Sequence, residues 1–145
     1  MTDAFILIEV AGTTYAVASA DILHMEMVES ITPVPNAAAF VDGIVLSRGR
    51  VVPVLNLRAR FGFPRTAPDL RTRLLVVQSG PRVIGLLVDS AREFVRLSAD
   101  AVHPPRDAMA ETTADYVAGT TVLGDRIVLV VDLPRLLETS PAAAL

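Results

Sequence analysis

An internal repeat constrains the fold of this chain more than any other feature of its sequence. Residues 40–61 align without gaps with residues 116–137, at an offset of 76 positions. The matched pairs include Phe40 with Tyr116, Val41 with Val117, Gly43 with Gly119, Arg50 with Arg126, Val52 with Val128, Asn56 with Asp132 and Leu57 with Leu133. A weaker match, at an offset of 68, places residues 6–17 on residues 74–85. Because such self-similarity indicates a supersecondary unit used twice, we predict two copies of one plan. Each copy has a strand, a glycine turn, a strand, a connector and a hairpin that ends in a short helical turn.

The local chemistry of the repeat favours β-structure. Short runs rich in Val, Ile and Thr alternate with glycine-containing pairs, a pattern typical of small all-β barrels or sandwiches. Arg48-Gly49 and Gly124-Asp125 are predicted hairpin turns, and Asn56 and Asp132 are predicted to cap the helical turns at 57–61 and 133–137. The predicted turn and cap residues are thus Gly43, Gly49, Asn56, Gly119, Gly124 and Asp132. A further short helix is predicted at residues 20–25, capped by Ser19.

The first hairpin is apolar on both faces, at Val51, Val52, Val54, Leu55 and Leu57. We therefore expect two small barrels packed together, because such strands are buried both inside a barrel and against a neighbour. Pro53 breaks the symmetry of the repeat, since it cannot donate a ladder hydrogen bond and its counterpart Leu129 can. An edge or a bulge is expected at Pro53.

Composition limits the class of protein. The chain has 145 residues, 52% hydrophobic and 20% charged, which predicts one globular domain. Its longest apolar run has six residues, too few to cross a bilayer, and the N-terminal MTDAF carries no basic leader. It contains no cysteine, which excludes disulfides and thiolate catalysis. These features predict a cytoplasmic protein.

The charges are unevenly distributed. Residues 43–106 hold eleven of the thirteen arginines against four acidic residues, although the whole chain has a net charge of −3 and no lysine. An acidic chain with few aromatic residues is not expected to bind nucleic acid. Arg50 has a counterpart in Arg126 and is predicted to belong to the scaffold, whereas Arg58 and Arg60 are predicted to be solvated charges on a helical turn.

No catalytic motif is visible. His24 and His103 lie in different halves, so neither a zinc-type pair nor a local triad is formed, and His103 is predicted to be a loop residue. A P-loop would require lysine. Asp89, Ser90 and Asp132 are interpreted as strand-end or capping residues. We predict a binding module with no catalytic residue, no metal site and no cofactor.

The hairpin motifs resemble those of a known family. Gly43, Arg48, Gly49, Val51, Val52, Pro53, Val54, Leu55, Asn56 and Leu57 fit its signature, with Leu46-Ser47 in place of the usual Asn-Leu. The stretches RVIGLLVDSAREFVRL at 82–97 and YVAGTTVLGDRIVLVVDLPRLL at 116–137 follow in the family's order. Over residues 4–138 the chain therefore resembles the CheW family, adaptors that couple bacterial chemoreceptors to the histidine kinase CheA.

This resemblance implies an all-β fold of two packed five-stranded SH3-like β-barrels with short helical turns. Residues 1–138 would form a single CheW-like domain of two pseudo-repeated β-barrel subdomains, and 139–145 a disordered tail. The implied function is a non-catalytic adaptor in chemotaxis signal transduction, cytoplasmic and recruited to membrane receptor arrays without direct membrane insertion. The implied partners are the regulatory domain of a CheA-type histidine kinase and the cytoplasmic tip of methyl-accepting chemoreceptors.

The matched positions suggest partner-binding residues. Arg48 lies where the family has a functionally sensitive arginine, and Pro53 is the other feature that distinguishes the first hairpin from the second. In the family, a groove between the barrels receives the tip of the receptor. Ile22 and Met25 match apolar connector positions that face this receptor groove, and Phe94 matches an apolar position implicated in it from the second half. For Ile22, Met25 and Phe94, ordinary core packing is an equally good explanation.

His24 departs from the family, which commonly has a glutamate there to pair with the turn arginine. Arg48 would lose this partner unless Glu26, on the same face of an extended strand, replaces it. Alternatively, His24 marks an adaptor for unusual receptors, with pH-dependent binding.

Two other functions remain open. One is a CheW-like scaffold of another chemosensory array, in pilus motility or development, which composition does not separate from chemotaxis. The other is a small-anion-binding β-barrel, against which the arginines at turns are expected to diverge from any single pocket.

Overall fold

The computed structural model describes residues 2–104 and 116–138, and ten strands account for more than half of these residues. The strands are β1 (Thr2–Val10), β2 (Thr13–Ala18), β3 (Ile22–Met27), β4 (Val41–Ser47), β5 (Arg50–Asn56), β6 (Arg73–Ser79), β7 (Arg82–Val88), β8 (Ser90–Ser98), β9 (Val117–Leu123) and β10 (Arg126–Val131). The helical segments are α1 (Leu57–Arg60), α2 (Leu133–Glu138) and two 3₁₀ turns, Ser19–Asp21 and Ala99–Ala101. The tail predicted at 139–145 lies outside the described residues.

The strands form two five-stranded sheets with the same arrangement. Sheet A has the order β8-β1-β2-β10-β9, and sheet B has the order β3-β6-β7-β5-β4. In both sheets the third and fourth strands are parallel and the other neighbours are antiparallel. The predicted all-β class with two five-stranded units is therefore confirmed.

The two sheets do not coincide with the two halves of the sequence. The repeat places β1 to β5 on β6 to β10, but sheet B combines β3, β4 and β5 with the β6–β7 hairpin, and sheet A combines β8, β9 and β10 with the β1–β2 hairpin. Each copy of the repeat thus contributes its first hairpin to the sheet of the other copy. Neither half of the chain contains a complete sheet.

In each sheet, the chain beyond one edge strand returns to the opposite edge strand. Thr32, after β3, exchanges two backbone hydrogen bonds of 2.8 and 2.9 Å with Ile44 of β4. His103, after β8, exchanges two of 2.7 and 2.8 Å with Thr120 of β9, so it is not the simple loop residue predicted. These bridges join the two edges and close each sheet into a small barrel.

Gly43 and Gly119 are needed at these bridges. Their prediction as turn residues is wrong, because both lie inside strands. A Cβ atom on Gly43 would lie 2.1 Å from the carbonyl oxygen of Thr32, and one on Gly119 would lie 2.6 Å from that of His103. Glycine permits the close approach of the two backbones that the bridge requires.

The hairpin turns follow the local sequence, whereas one predicted helix does not form. Arg48 and Gly49 join β4 to β5 with φ angles of 50° and 78°, the pattern of a type I′ turn. Gly124, with φ of 62°, joins β9 to β10.

The helix predicted at 20–25 is wrong, because only the 3₁₀ turn Ser19–Asp21 forms there and β3 begins at Ile22.

Both short α-helices begin at side-chain caps. Asn56 Oδ1 accepts a hydrogen bond of 3.1 Å from the backbone N–H of Ala59. Asp132 Oδ1 accepts one of 3.1 Å from the N–H of Arg135. Each cap satisfies an N–H group that has no partner within the helix.

Pro53 lies at a local edge of sheet B. Ile44, opposite Pro53, uses both backbone polar groups on Thr32, so the nitrogen of Pro53 is directed away from β4 and toward β7. The parallel ladder with β7 begins only at Val54. In sheet A the equivalent Leu129 is within the ladder with β2. Pro53, which has no N–H donor, therefore lies where β5 is not yet paired with β7, as expected for a local edge.

The apolar core has three parts. One cluster joins the sheets and includes Ile8, Val10, Tyr15, Val17, Leu55, Leu75, Val77, Leu86, Leu136 and Leu137. Two smaller clusters fill the barrels, with Val45, Val52, Val54, Leu74, Val76 and Leu87 in sheet B and Leu7, Ala16, Val128 and Val130 in sheet A. Consecutive residues such as Val54 and Leu55 enter different clusters, so β5 is buried on both faces as predicted. Val51 is the exception, at 62% exposed.

Candidate partner-binding groove

Three side chains link the edge strands β3 and β4 of sheet B. Ser47 Oγ donates a hydrogen bond of 3.0 Å to Glu26 Oε2 and lies 2.8 Å from His24 Nε2. Because a hydroxyl has one hydrogen, which Ser47 gives to Glu26, His24 Nε2 must carry the proton of the second bond. Nε2 is also 3.2 Å from Glu26 Oε2. We call His24, Glu26 and Ser47 the β3–β4 latch.

A groove lies beside the latch, at the tip of the β4–β5 hairpin. Its volume is about 190 Å³, and it is lined by Leu23, His24, Ser47, Arg48, Arg50, Val52, Val76 and Val83. Val52 and Val76 belong to the buried core of sheet B, whereas Arg48 and Arg50 are exposed. The lining combines an apolar floor with two guanidinium groups and contains no carboxylate. We call this the Arg48 groove.

Arg48 has no internal partner in the part of the chain that the structure describes. It is exposed, in the left-handed conformation of the turn, and forms neither a hydrogen bond nor an ion pair with another described residue. The carboxylate of Glu26 is engaged by Ser47 and His24. The hypothesis that Glu26 replaces the missing glutamate as the partner of Arg48 is therefore wrong.

The other candidate partner-binding residues lie apart from Arg48. Ile22 is half-buried and packs against the core between the sheets, whereas Met25 is 44% exposed on the opposite face of β3. Phe94 is 57% exposed on β8, the edge strand of sheet A. Of the predicted set, the Arg48 groove brings together only Arg48 and His24. Core packing explains Ile22 but not Met25 or Phe94.

Arg58 is not the solvated charge that its helical turn predicts. Its Nε and Nη2 atoms donate to the two carboxylate oxygens of Asp89 over 2.7–3.0 Å, and Asp89 Oδ2 also accepts 2.9 Å from the N–H of Ala11. The hydrogen bond to Asp89 raises the pKa of the Arg58 guanidinium. Because Ala11 belongs to the β1–β2 turn and Arg58 to α1, this contact ties sheet A to sheet B.

Arg60 is likewise placed against aromatic rings and not in solvent. Its guanidinium carbon lies 4.8 Å from the ring centre of Phe40 and 4.3 Å from that of Tyr116, within the range of cation–π attraction. Phe40 and Tyr116 are a matched pair in the repeat, and Arg60 occupies the position of buried Leu136 in the second copy. Comparison of the two copies could therefore have indicated a structural role for Arg60.

The latch lacks the geometry of a catalytic triad. In a triad the nucleophile and the acid contact opposite nitrogens of the histidine. Here Ser47 and Glu26 both contact Nε2 of His24, and Ser47 is only 4% exposed. Among residues 2–104 and 116–138, no three His, Asp or Glu side chains are grouped so that they could hold a metal ion. The same residues include no helix of the length and apolarity needed to cross a membrane.

Two small barrels, one of which carries an open groove lined by two arginines, are the architecture of a protein-binding module. Within this class, the chain belongs to the family of the CheW-like domain, whose model matches residues 4–140. Proteins of this family are scaffolds and adaptors, not enzymes.

Known relatives and a solved structure agree with this assignment. The chain is 25% identical to the chemotaxis protein CheW of Klebsiella aerogenes, over 96% of this chain and 84% of that protein. It is 35% identical to protein FrzA of Myxococcus xanthus, over 74% of this chain and 69% of FrzA. The scaffolding protein TtCheW from Thermoanaerobacter tengcongensis has the same fold, with a TM-score of 0.87 at 24% identity, over 96% of this chain and 94% of TtCheW.

Proposed function

We propose that this chain is a non-catalytic adaptor that couples chemoreceptors to a CheA-type histidine kinase. The proposed partners are the regulatory domain of the kinase and the cytoplasmic tip of methyl-accepting chemoreceptors. In this role the chain is cytoplasmic and is recruited to the receptor array by its partners. Family membership supports the adaptor class, and the groove described above supports a protein-binding role.

One observation carries the proposal for this surface. Arg48 is exposed at the tip of the β4–β5 hairpin and has no partner among the described residues, although it borders a groove with an apolar floor. An exposed arginine beside apolar surface is the composition typical of an interface anchor. Met25 and Phe94 supply exposed apolar side chains on the edge strands of the two sheets, where a partner can contact them.

Signal transmission in such an adaptor requires no chemistry. Contacts with two different partners through two different surfaces are heterologous and can close into a ring. The adaptor then favours one arrangement of kinase and receptor over another in proportion to its differential affinity for the two arrangements.

A scaffold of another chemosensory array is the second candidate. Family membership does not separate it from chemotaxis, since the relatives include protein FrzA, 35% identical, as well as proteins named chemotaxis protein CheW. A site for a small organic anion is less consistent with the groove, because about 190 Å³ is below the usual volume of small-molecule sites, ~300–1,000 Å³.

The Arg48→Glu variant tests the adaptor function. We expect loss of receptor-dependent kinase activation in a reconstituted assay, with an unchanged melting temperature, because the side chain is exposed and forms no hydrogen bond or ion pair with another described residue. Arg71→Glu is the control, since its side chain is 70% exposed, pairs at 3.8 Å with the exposed Asp69 and does not line the groove. Normal coupling by Arg48→Glu would exclude this surface from the adaptor function.

A further inference from the structure

One ion pair of sheet A has no counterpart in sheet B. In sheet A, Nη2 of Arg126, at the start of β10, donates 3.0 Å to Oε1 of Glu93 on β8. The equivalent residues of sheet B are Arg50 and Met25. Arg50 begins β5 as Arg126 begins β10. Glu93 lies opposite Leu7 of β1, and Leu75 of β6, which matches Leu7 in the repeat, lies opposite Met25. Sheet B thus has the cation of this pair, Arg50, but a methionine in place of the acid.

The acid is not replaced from elsewhere in the groove. The side chain of Arg50, like that of Arg48, forms no hydrogen bond or ion pair with any other residue that the structure describes. Glu26, the nearest acid along β3, is held in the latch by Ser47 and His24. The Arg48 groove therefore presents two guanidinium groups without a counter-charge in a chain whose net charge is −3.

We propose that the Arg48 groove receives the carboxylate of a glutamate or aspartate side chain from a partner protein. Guanidinium groups bind carboxylates in a planar, often bidentate geometry, and two of them on one rim favour such an anion. The apolar floor and Leu23 on the rim provide a contact for an apolar residue next to that acid. In sheet A, Glu93 of β8 provides the carboxylate that pairs with Arg126. In sheet B, the partner protein provides the carboxylate that pairs with Arg50. This inference rests on the adaptor function proposed above and specifies the chemistry of its contact.

Paired arginine variants test it. Binding of the full chain to the kinase regulatory domain and to a receptor cytoplasmic fragment is measured by calorimetry at low and high ionic strength. Arg50→Gln should weaken binding to one of them about tenfold at low ionic strength, and less at high ionic strength. Arg126→Gln is the matched control, because its guanidinium is already paired with Glu93, and it should change the affinity less than about twofold.

A second pair of variants supplies the acid internally. Met25→Glu places a carboxylate where sheet A has Glu93, so it should engage Arg50 and compete with the partner. Met25→Gln has nearly the same shape without the charge. We expect Met25→Glu to bind the partner about tenfold more weakly than Met25→Gln, with thermal unfolding of both variants showing an intact fold.

The outcomes separate this inference from the proposed function. If the unmodified chain binds normally and the two variants of each pair have equal effects, the proposal that a partner carboxylate occupies the groove is wrong. The proposed adaptor function would not be affected by that result. Absence of binding to either partner by the unmodified chain would overturn both. A rise in melting temperature with sodium succinate that Arg50→Gln abolishes, together with unchanged partner binding by that variant, would also overturn the inference, because the groove would then be a small-anion site.

Discussion

Replacement of Gly43 by alanine should open the bridge that closes sheet B. The new Cβ atom would lie 2.1 Å from the carbonyl oxygen and 2.7 Å from the carbonyl carbon of Thr32, and neither backbone atom can rotate away. The two hydrogen bonds between Thr32 and Ile44 would break, at a net cost of about 1 kcal/mol each. Because φ of Gly43 is +142°, strain adds about 1–3 kcal/mol. We expect a total loss of about 3–5 kcal/mol, a large part of the ~5–15 kcal/mol that stabilises a typical domain.

Gly49 provides the matched control, because it also has a positive φ, +78°, but its Cβ would meet no atom within 4 Å. Gly49→Ala should cost only the conformational strain, about 1–2 kcal/mol. The measurement is urea denaturation followed by circular dichroism, with hydrogen exchange at the amides of Thr32 and Ile44. Gly43→Ala should accelerate exchange at both amides, and Gly49→Ala should not. Equal losses of stability in the two variants, or unchanged protection of these amides, would refute the reasoning.

Three further predictions concern stability. Asp89→Ala leaves Arg58 without its carboxylate acceptor and should lower the free energy of unfolding in urea by about 2–3 kcal/mol. Asp89→Asn should lower it less, because one side-chain oxygen remains as an acceptor. Equal losses in the two variants would contradict this explanation. Asn56→Ala removes both the cap of α1 and the 2.9 Å bond to Asp42, and should lower the free energy of unfolding by about 1–2 kcal/mol. Burial raises the pKa of Tyr15 above 10.0. The stability that depends on the protonated hydroxyl of Tyr15 is therefore present below pH 10.0 and is lost as the pH rises through the raised pKa. Tyr15→Phe should therefore lose less stability than the unmodified chain between about pH 9 and about pH 11, and an identical pH profile would exclude this effect.

The parts of the fold that could be predicted depend on signals between near neighbours. The Arg48-Gly49 turn and the Asn56 cap are determined by residues within a few positions of each other, so the sequence is sufficient to place them. The helix predicted at 20–25 is wrong from Ile22 onward, where β3 begins, although Leu23 and Met25 are residues that favour helices. Pairing with β6 overrides that preference.

Pairing between distant segments could not be predicted in the same way. The repeat shows which segments are equivalent, but the exchange of hairpins depends on which of two similar strands packs better, and nothing local specifies that. Arg58 was misjudged for the same reason, since its acceptor Asp89 is distant in sequence.

The candidate site was predicted in part. Arg48 could be recognised from its turn and from the repeat. Ser47 and Glu26 were missed as members of one cluster, because a serine within a strand gives no signal of its partners across a barrel seam.

The exchange of hairpins also determines the order in which the chain can assemble as it leaves the ribosome. All five strands of sheet B lie between residues 22 and 88, so this sheet has every strand well before synthesis ends. Sheet A must wait for β10, where Val128 lies beside Thr14 of β2, and until then the β1–β2 hairpin exposes apolar surface that it will later bury. Such non-local pairing is slow and leaves unpaired edges open to wrong partners. The barrel that carries the Arg48 groove is therefore the part of the nascent protein that can form first, and its neighbour is completed only once β10 has been made.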